Sequence, residues 1–212
     1  MISHKHKCIF IHIPKTGGMS VEVALGANLQ KLHSRKTRVK HGTPLEWKYP
    51  KFWNDYFTFT VVRNPWDRMV SGFFYDRHMY NALHHSGSGR VYKPGSGREQ
   101  KSRREIYALG PDGFCTFVKE KFERLRRDRI TYIPQHNWVV PREGIKYDYI
   151  ARFENLQEDF NIVCDSLRIS RKVLPHKNKS NHKHYTEYYD DETRELVADI
   201  YKEDIELFGY EF

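Results

Sequence analysis

The feature that most constrains this chain is an apolar run that breaks at a proline and restarts with helical spacing. Residues 7–13, KCIFIHI, are almost continuously apolar. A short run of that kind is a strand buried on both faces, as in a parallel sheet, rather than the alternating strand of a half-exposed one. Pro14, Lys15, Thr16, Gly17 and Gly18 interrupt it, and residues 20–29, SVEVALGANL, continue as a helix with Ser20 near its N-cap. The order then repeats. Residues 56–63, YFTFTVVR, are rich in β-branched and aromatic side chains and form a second strand. Asn64 follows as an N-cap, Pro65 takes the first helical position, and Met69, Val70, Phe73 and Phe74 recur at helical spacing.

Further along, residues 147–156, YDYIARFENL, give a third strand ending near Arg152, and residues 156–167 a following helix. An amphipathic helix starts at Gly113, with Phe114, Phe117, Val118, Phe122 and Leu125 on one face. A last helix begins at Asp190 or Asp191 and runs into an aromatic tail expected to dock on the core. Strands separated by helices imply an α/β fold, a mainly parallel central sheet with helices on both faces. At 212 residues the chain is expected to form a single domain, 1–212. Residues 84–104 begin HHSGSGRVYKPGSGR, carry no periodicity, and are expected to be a mobile basic loop. Ligands of such sheets bind beyond the C-terminal ends of the strands, which directs attention to the segments after the first two.

Composition removes several classes. No apolar stretch approaches the roughly 20 residues of a membrane span, and MISHKHK lacks a signal peptide's apolar core, so a cytoplasmic location is expected, with an anchor in a longer parent left open. Cys8, Cys115 and Cys164 have no metal-like spacing and read as reduced thiols. The net charge of +9 is unevenly spread: residues 186–212 hold ten acidic and two basic side chains, a balance of −8, which leaves +17 on residues 1–185. A basic body suits an anionic ligand, and charge alone does not choose among nucleic acid, a nucleotide and an acidic glycan.

The chemistry concentrates in two segments. PKTGGMS feeds a helix start, where backbone N–H groups and the helix dipole favour an anion, and Lys15, Thr16 and Ser20 add a charge and two hydroxyls. It is not a nucleoside-triphosphate loop of the G-x-x-x-x-G-K-[ST] type, because Lys15 precedes the glycines. Read alone it is equally a structural turn. After the second strand, Arg63 closes the run and Ser71 lies eight residues on; a guanidinium there can hold a phosphate bidentately with a hydroxyl assisting, or pair with Asp67. His4, His6 and Cys8 alternate, and His182 and His184 form a pair, but surface histidines explain both sets and no metal is expected.

The two segments together resemble those of sulfotransferases that use 3′-phosphoadenosine 5′-phosphosulfate (PAPS). IPKTGGMS is similar to the 5′-phosphosulfate loop and VVRNPWDRMVSGFF to the 3′-phosphate segment. The likeness is greatest to the carbohydrate sulfotransferase branch, whose H-x-T, R-F-E-N-L, L-P-H-x-N-K-S and Y-Y-D-x-E-T-R-E-L-V elements are matched in order at residues 41–43, 152–156, 174–180 and 188–197. The resemblance implies a P-loop-kinase-like three-layer α/β fold and transfer of a sulfuryl group to an acceptor hydroxyl, with PAPS as donor and no metal. It implies that Lys15 contacts the bridging oxygen and sulfonate, that backbone N–H groups of Thr16, Gly17, Gly18, Met19 and Ser20 hold the 5′-phosphosulfate, and that Arg63 and Ser71 bind the 3′-phosphate. Asn178, Lys179 and Ser180 resemble a loop that closes near the nucleotide. Met19 departs from the pattern, since a hydroxyl residue is usual there, and the missing hydrogen bond corresponds to about 0.5–1.5 kcal/mol.

The acceptor hydroxyl must lose a proton, and His41, placed where the resembling enzymes carry such a histidine, is the candidate general base, with Glu46 and His136 in reserve. The basic loop and the PQHNWV segment, with Trp138 or Tyr92 exposed for stacking, are candidate seats for a saccharide acceptor. A kinase of similar fold is disfavoured by the absent Walker lysine, and a nucleic-acid-binding protein by the absence of a recognisable module, so no nucleic-acid partner is expected. A catalytically inactive, nucleotide-binding relative also fits the departure at Met19.

Overall fold

The structure is a computed structural model, and it describes residues 1–27, 53–85, 106–107, 109–125, 132–139, 147–175 and 182–212. Two compact units emerge, one of Met1–Asn64 with Ile130–Lys179, the other of Pro65–Arg129 with Ser180–Phe212.

The first unit holds the sheet. Among the described residues it has four strands in spatial order β1 (Ile2–Ser3), β2 (Cys8–Ile11), β3 (Phe57–Val62) and β4 (Tyr149–Arg152). β2, β3 and β4 run parallel, with Phe10 opposite Phe59 and Val61 opposite Ala151. β1 is antiparallel to β2, Ile2 opposite Ile9, so the sheet is mixed at that edge. Nothing in two residues carries a period, and the sequence gives no sign of this strand. The run at 7–13 is a strand for the expected reason: Cys8, Ile9, Phe10 and Ile11 are all buried.

Alternation along the strands puts Cys8, Phe10, Phe59, Val61 and Ala151 on one face. Two helices of the same unit cover it, α1 (Gly18–Ala24) with Val21, and α5 (Leu156–Ser166) with Phe160, Val163 and Cys164. The Phe10 and Phe59 rings stack at 5.0 Å between centroids. Burial pushes the Cys8 thiol up to about 11, and Cys8, Cys115 and Cys164 are free thiols. The short helix α4 (His136–Val139) also belongs to this unit. Thr60 ties β3 to β2 by donating its hydroxyl hydrogen to the Ile11 carbonyl at 2.8 Å.

The second unit is helical. α2 (Pro65–His85) begins at Pro65 as the sequence predicts, and it extends through His84 and His85, which the sequence assigns to the loop. The rest of that loop, residues 86–104, lies outside the described residues. α3 (Phe114–Leu125) and α6 (Asp191–Ile200) pack with α2 around aromatic side chains, Phe73 meeting Phe114 at 5.6 Å and Phe117 at 5.0 Å between centroids. Asp190 caps α6: its side chain accepts from the Thr193 N–H at 2.7 Å, and Thr193 returns the bond to the Asp190 N–H. α7 (Lys202–Phe208) ends at Gly209, whose φ of 62° closes the helix in the left-handed conformation that glycine adopts without strain. The tail docks as expected, Phe212 packing edge-on against Trp66, Tyr185 and Tyr189. No helix among the described residues is long and apolar enough to cross a membrane.

Candidate functional site

β2 delivers the chain to Pro14 at the C-terminal end of the parallel sheet, and the next residues turn sharply. Lys15 sits at φ 72° and Gly17 at φ 79°, so two left-handed residues in three fold the backbone back toward α1. Gly17 is the N-cap and the helix begins at Gly18, so the cap lies three residues before Ser20, whose hydroxyl suggested a cap there. The reason is conformational. A left-handed residue ends the turn, and glycine provides it at Gly17 without the steric cost of a Cβ.

What lies beneath the turn fixes both glycines. A Cβ on Gly17 would come within 2.9 Å of Leu156 and 3.0 Å of the Phe153 ring, and one on Gly18 within 2.4 Å of the His12 ring. His12 is itself held: its Nδ1 lies 3.0 Å from the Glu22 carboxylate on α1, and its ring stacks on Phe10. Both members of that pair are buried. Thr16 is fully buried, and its hydroxyl hydrogen goes to the Ile13 carbonyl at 2.9 Å. The Ser20 N–H donates to the Gly17 carbonyl at 2.9 Å, which tightens the first turn of α1.

Arg63, one residue past β3, meets this turn. Its Nη1 donates to the Lys15 carbonyl at 3.1 Å, and its guanidinium carbon lies 3.9 Å from the centroid of the Phe153 ring. Its backbone is gripped by Gln135, whose Oε1 accepts from the Arg63 N–H at 2.9 Å and whose Nε2 donates to the Arg63 carbonyl at 2.8 Å. The next residue, Asn64, donates its N–H to Glu154 at 2.6 Å. Lys15 and Arg63, which the sequence singles out on two separate segments, are therefore in direct contact. Gly17, Gly18, Met19 and Ser20 lie on the same turn and its helix.

Ser71 is a buried residue of α2 in the second unit. His41, Glu46, Tyr92 and the trio Asn178, Lys179 and Ser180 lie outside the described residues. One expectation fails outright: Trp138 is 1% exposed and cannot stack on a sugar as an open platform. Its N–H donates to the Gln135 carbonyl, so PQHNWV forms a tight turn packed into the first unit. His136 there is half-buried, its Nε2 3.0 Å from the Asn137 amide. Among the histidines read as surface groups, His4 meets the Tyr56 hydroxyl at 2.8 Å, and Cys8, which follows His4 and His6 in the alternating set, is sealed in the sheet.

Sequence reasoning missed Phe153, Leu156, Glu154 and Gln135. The first three belong to the RFENL element, where a tripeptide 3-10 turn, Phe153–Asn155, aims an aromatic ring at both Gly17 and Arg63. No signal marks Gln135. It lies 72 residues from the backbone it binds.

The arrangement is a left-handed turn at a helix start, a lysine on it, and an arginine joined to its backbone, a donor set suited to an anion. In comparison with known proteins, the family model described as "Sulfotransferase family" matches residues 1–211. The chain belongs to the sulfotransferase family. A relative is carbohydrate sulfotransferase 10 of Xenopus laevis, 24% identical over 238 residues, an alignment that takes in 99% of this chain. The chain spans 66% of that relative's length, just under two thirds. No solved structure matches the chain. The segments at Lys15 and Arg63 both lie within the matched residues.

Proposed function

We propose that this sulfotransferase moves a sulfuryl group from PAPS to a hydroxyl of a carbohydrate acceptor. The observation that carries the reading is the contact between Arg63 and the Lys15 carbonyl, which joins the segment resembling a 3′-phosphate site to the one resembling a 5′-phosphosulfate loop. The residues suit such a donor. Gly17 and Gly18 let the turn lie close against Phe153, Leu156 and His12, and the Gly18 and Met19 amides belong to the first turn of α1, whose N–H groups have no partner within the helix. The family match and the carbohydrate sulfotransferase relative support the donor and acceptor classes.

The donor supplies the sulfuryl group and a bisphosphorylated nucleoside as leaving group. Sulfuryl transfer, like phosphoryl transfer, is an in-line displacement in which positioning and charge stabilisation dominate. Lys15 is assigned to the negative charge that grows on the bridging oxygen, and the backbone N–H groups of Thr16, Gly17, Gly18 and Met19 to the 5′-phosphosulfate, with Ser20 assisting through its hydroxyl because its N–H already donates to the Gly17 carbonyl. Thr16 serves through its backbone, because its hydroxyl hydrogen is already committed to Ile13. Met19 contributes no side-chain donor, so the loop relies on main-chain groups at that position. Arg63 takes the 3′-phosphate. Ser71 joins it, and Asn178, Lys179 and Ser180 form a closing loop, on the sequence segments alone. His41 receives the acceptor's proton, on its sequence position alone. One family model spans both compact units, which supports treating residues 1–212 as one catalytic domain.

Thermal shift tests the reading. Adenosine 3′,5′-bisphosphate should stabilise the protein more than ADP or AMP does, and Arg63→Ala should remove the difference. With labelled PAPS and a panel of glycans, Lys15→Ala should abolish transfer, and His41→Ala should lower it by orders of magnitude with nucleotide binding retained. Equal stabilisation by all three nucleotides would rule out a PAPS site.

A further inference from the structure

Gln135 has no part in the chemistry above, yet among the described residues it is one of the largest fully buried side chains. A buried primary amide is costly unless both its ends are hydrogen-bonded, and here both ends are bonded to one residue. β3 ends at Val62, whose partner in β4 is Arg152, so Arg63 is the first residue beyond that ladder. Its main-chain N–H and C=O are matched by the Gln135 carbonyl and amide at 2.9 and 2.8 Å. A side chain thus takes the place of a strand, extending the pairing of β3 by one residue. The turn at Pro134 holds Gln135 in turn, since its own carbonyl accepts from Trp138 at 2.9 Å and Trp138 is buried.

We infer that Gln135 is a positioning residue for Arg63 and thereby sets the selectivity for a 3′-phosphorylated nucleotide, an inference that rests on the 3′-phosphate role proposed for Arg63. The reasoning is geometric. Backbone φ and ψ at Arg63 decide where its side chain leaves the strand, and with that backbone held the guanidinium lies over the Phe153 ring with Nη1 on the Lys15 carbonyl. A guanidinium fixed in plane holds the directions of its N–H edges fixed as well, and bidentate recognition of a phosphate needs one such edge held in place. Preorganisation of this kind appears as a difference between ligands that do and do not carry the group recognised.

The test is titration calorimetry with adenosine 3′,5′-bisphosphate and adenosine 5′-phosphate on the full chain, the ratio of the two affinities being the readout. Gln135→Met removes both hydrogen bonds at similar volume, and Gln135→Glu keeps the acceptor but loses the donor. The ratio should fall about tenfold in the first, the scale of one or two hydrogen bonds, and by less in the second. In the Arg63→Ala protein Gln135→Met should leave the ratio where it is, because the residue acts through Arg63. A merely structural Gln135 would lower the melting temperature and leave the ratio at its parent value, which would overturn the inference. A parent protein that binds both nucleotides equally would instead remove the 3′-phosphate site and the inference with it. Amide hydrogen exchange on the unsubstituted protein needs no variant to fold: the Arg63 N–H should be protected before nucleotide is added, and exchange at the rate of an open amide would refute the pinned backbone.

Discussion

At Gly18 the loop has no room for even a methyl group. The Cβ of an alanine would sit 2.4 Å from one carbon of the His12 ring and 2.6 Å from Nε2. The ring has little freedom to move, because Glu22 holds Nδ1 and the Phe10 ring stacks against it at 5.7 Å. Gly18→Ala should therefore destabilise the protein by about 1–3 kcal/mol, the range for overpacking, and weaken nucleotide binding by displacing the turn. Gly26→Ala is the control: its φ is 84° but its Cβ would meet nothing within 4 Å, so it should show only a backbone cost of about 1 kcal/mol with binding intact. Urea unfolding and a nucleotide thermal shift on both variants check this, and a Gly18→Ala protein as stable as the parent would mean that the His12 ring is free to yield. At this scale the sequence exposed the residue types and concealed their surroundings. A glycine pair after a strand marks a turn, and Lys15 beside it marks an anion, but spacing cannot show that His12, Phe153 and Leu156 form its bed. Gln135 was illegible for the same reason. Its partner is a main-chain group, which leaves no trace in residue type.

The elements that were easiest to place carry their own boundary signals. Pro65 opens α2, and the Asp-Asp-Glu-Thr run opens α6, where the structure selects Asp190 as the cap and Thr193 as its reciprocal partner. Asp190→Ala should cost about 1 kcal/mol at neutral pH, and Asp190→Asn much less, since asparagine caps nearly as well. The hydrogen bonds from Thr193 hold the Asp190 carboxyl below the usual carboxylate range. A carboxyl lowered in this way stabilises the fold at pH above its unfolded-state value, and that contribution fades as pH falls through the lowered folded value. Urea midpoints taken at pH 7 and in strong acid should show the gap between the parent and Asp190→Ala narrowing in acid. A gap that persists undiminished would assign the cap to the neutral carboxyl. Elements without such signals depart from the sequence expectation for identifiable reasons. β1 is too short to have a period, α1 starts early because glycine supplies the left-handed cap, and PQHNWV offers no open aromatic seat because Trp138 is buried. A tryptophan in a polar stretch looks exposed by sequence alone. Here the helix α4, only four residues long, turns it inward.

At the scale of the whole chain, periodicity sufficed for the fold class, because apolar strands separated by helices admit few alternatives, and the parallel order β2, β3, β4 is the one observed. What periodicity leaves open is the acceptor, and there the charge distribution bears most directly. Residues 1–185 carry +17 and residues 186–212 carry −8, so the segments that hold Lys15 and Arg63 belong to a strongly basic stretch of chain. A field of that sign raises the encounter rate and local concentration of an acidic saccharide and does nothing for a neutral one. Its range shrinks with salt, the screening length being about 10 Å at 0.1 M and about 3 Å at 1 M. With the donor saturating, KM for a uronate-bearing or sulfated oligosaccharide should therefore rise several-fold as salt is increased across that range, while kcat stays nearly constant, because the chemical step depends on short contacts within the site. A neutral oligosaccharide of the same length should keep its KM. Parallel titrations of the two acceptors decide between an acidic and a neutral acceptor class. If KM for the acidic chain is indifferent to salt, its charge is not what the basic stretch recognises. If both KM values rise together, the salt is acting on the donor or the fold.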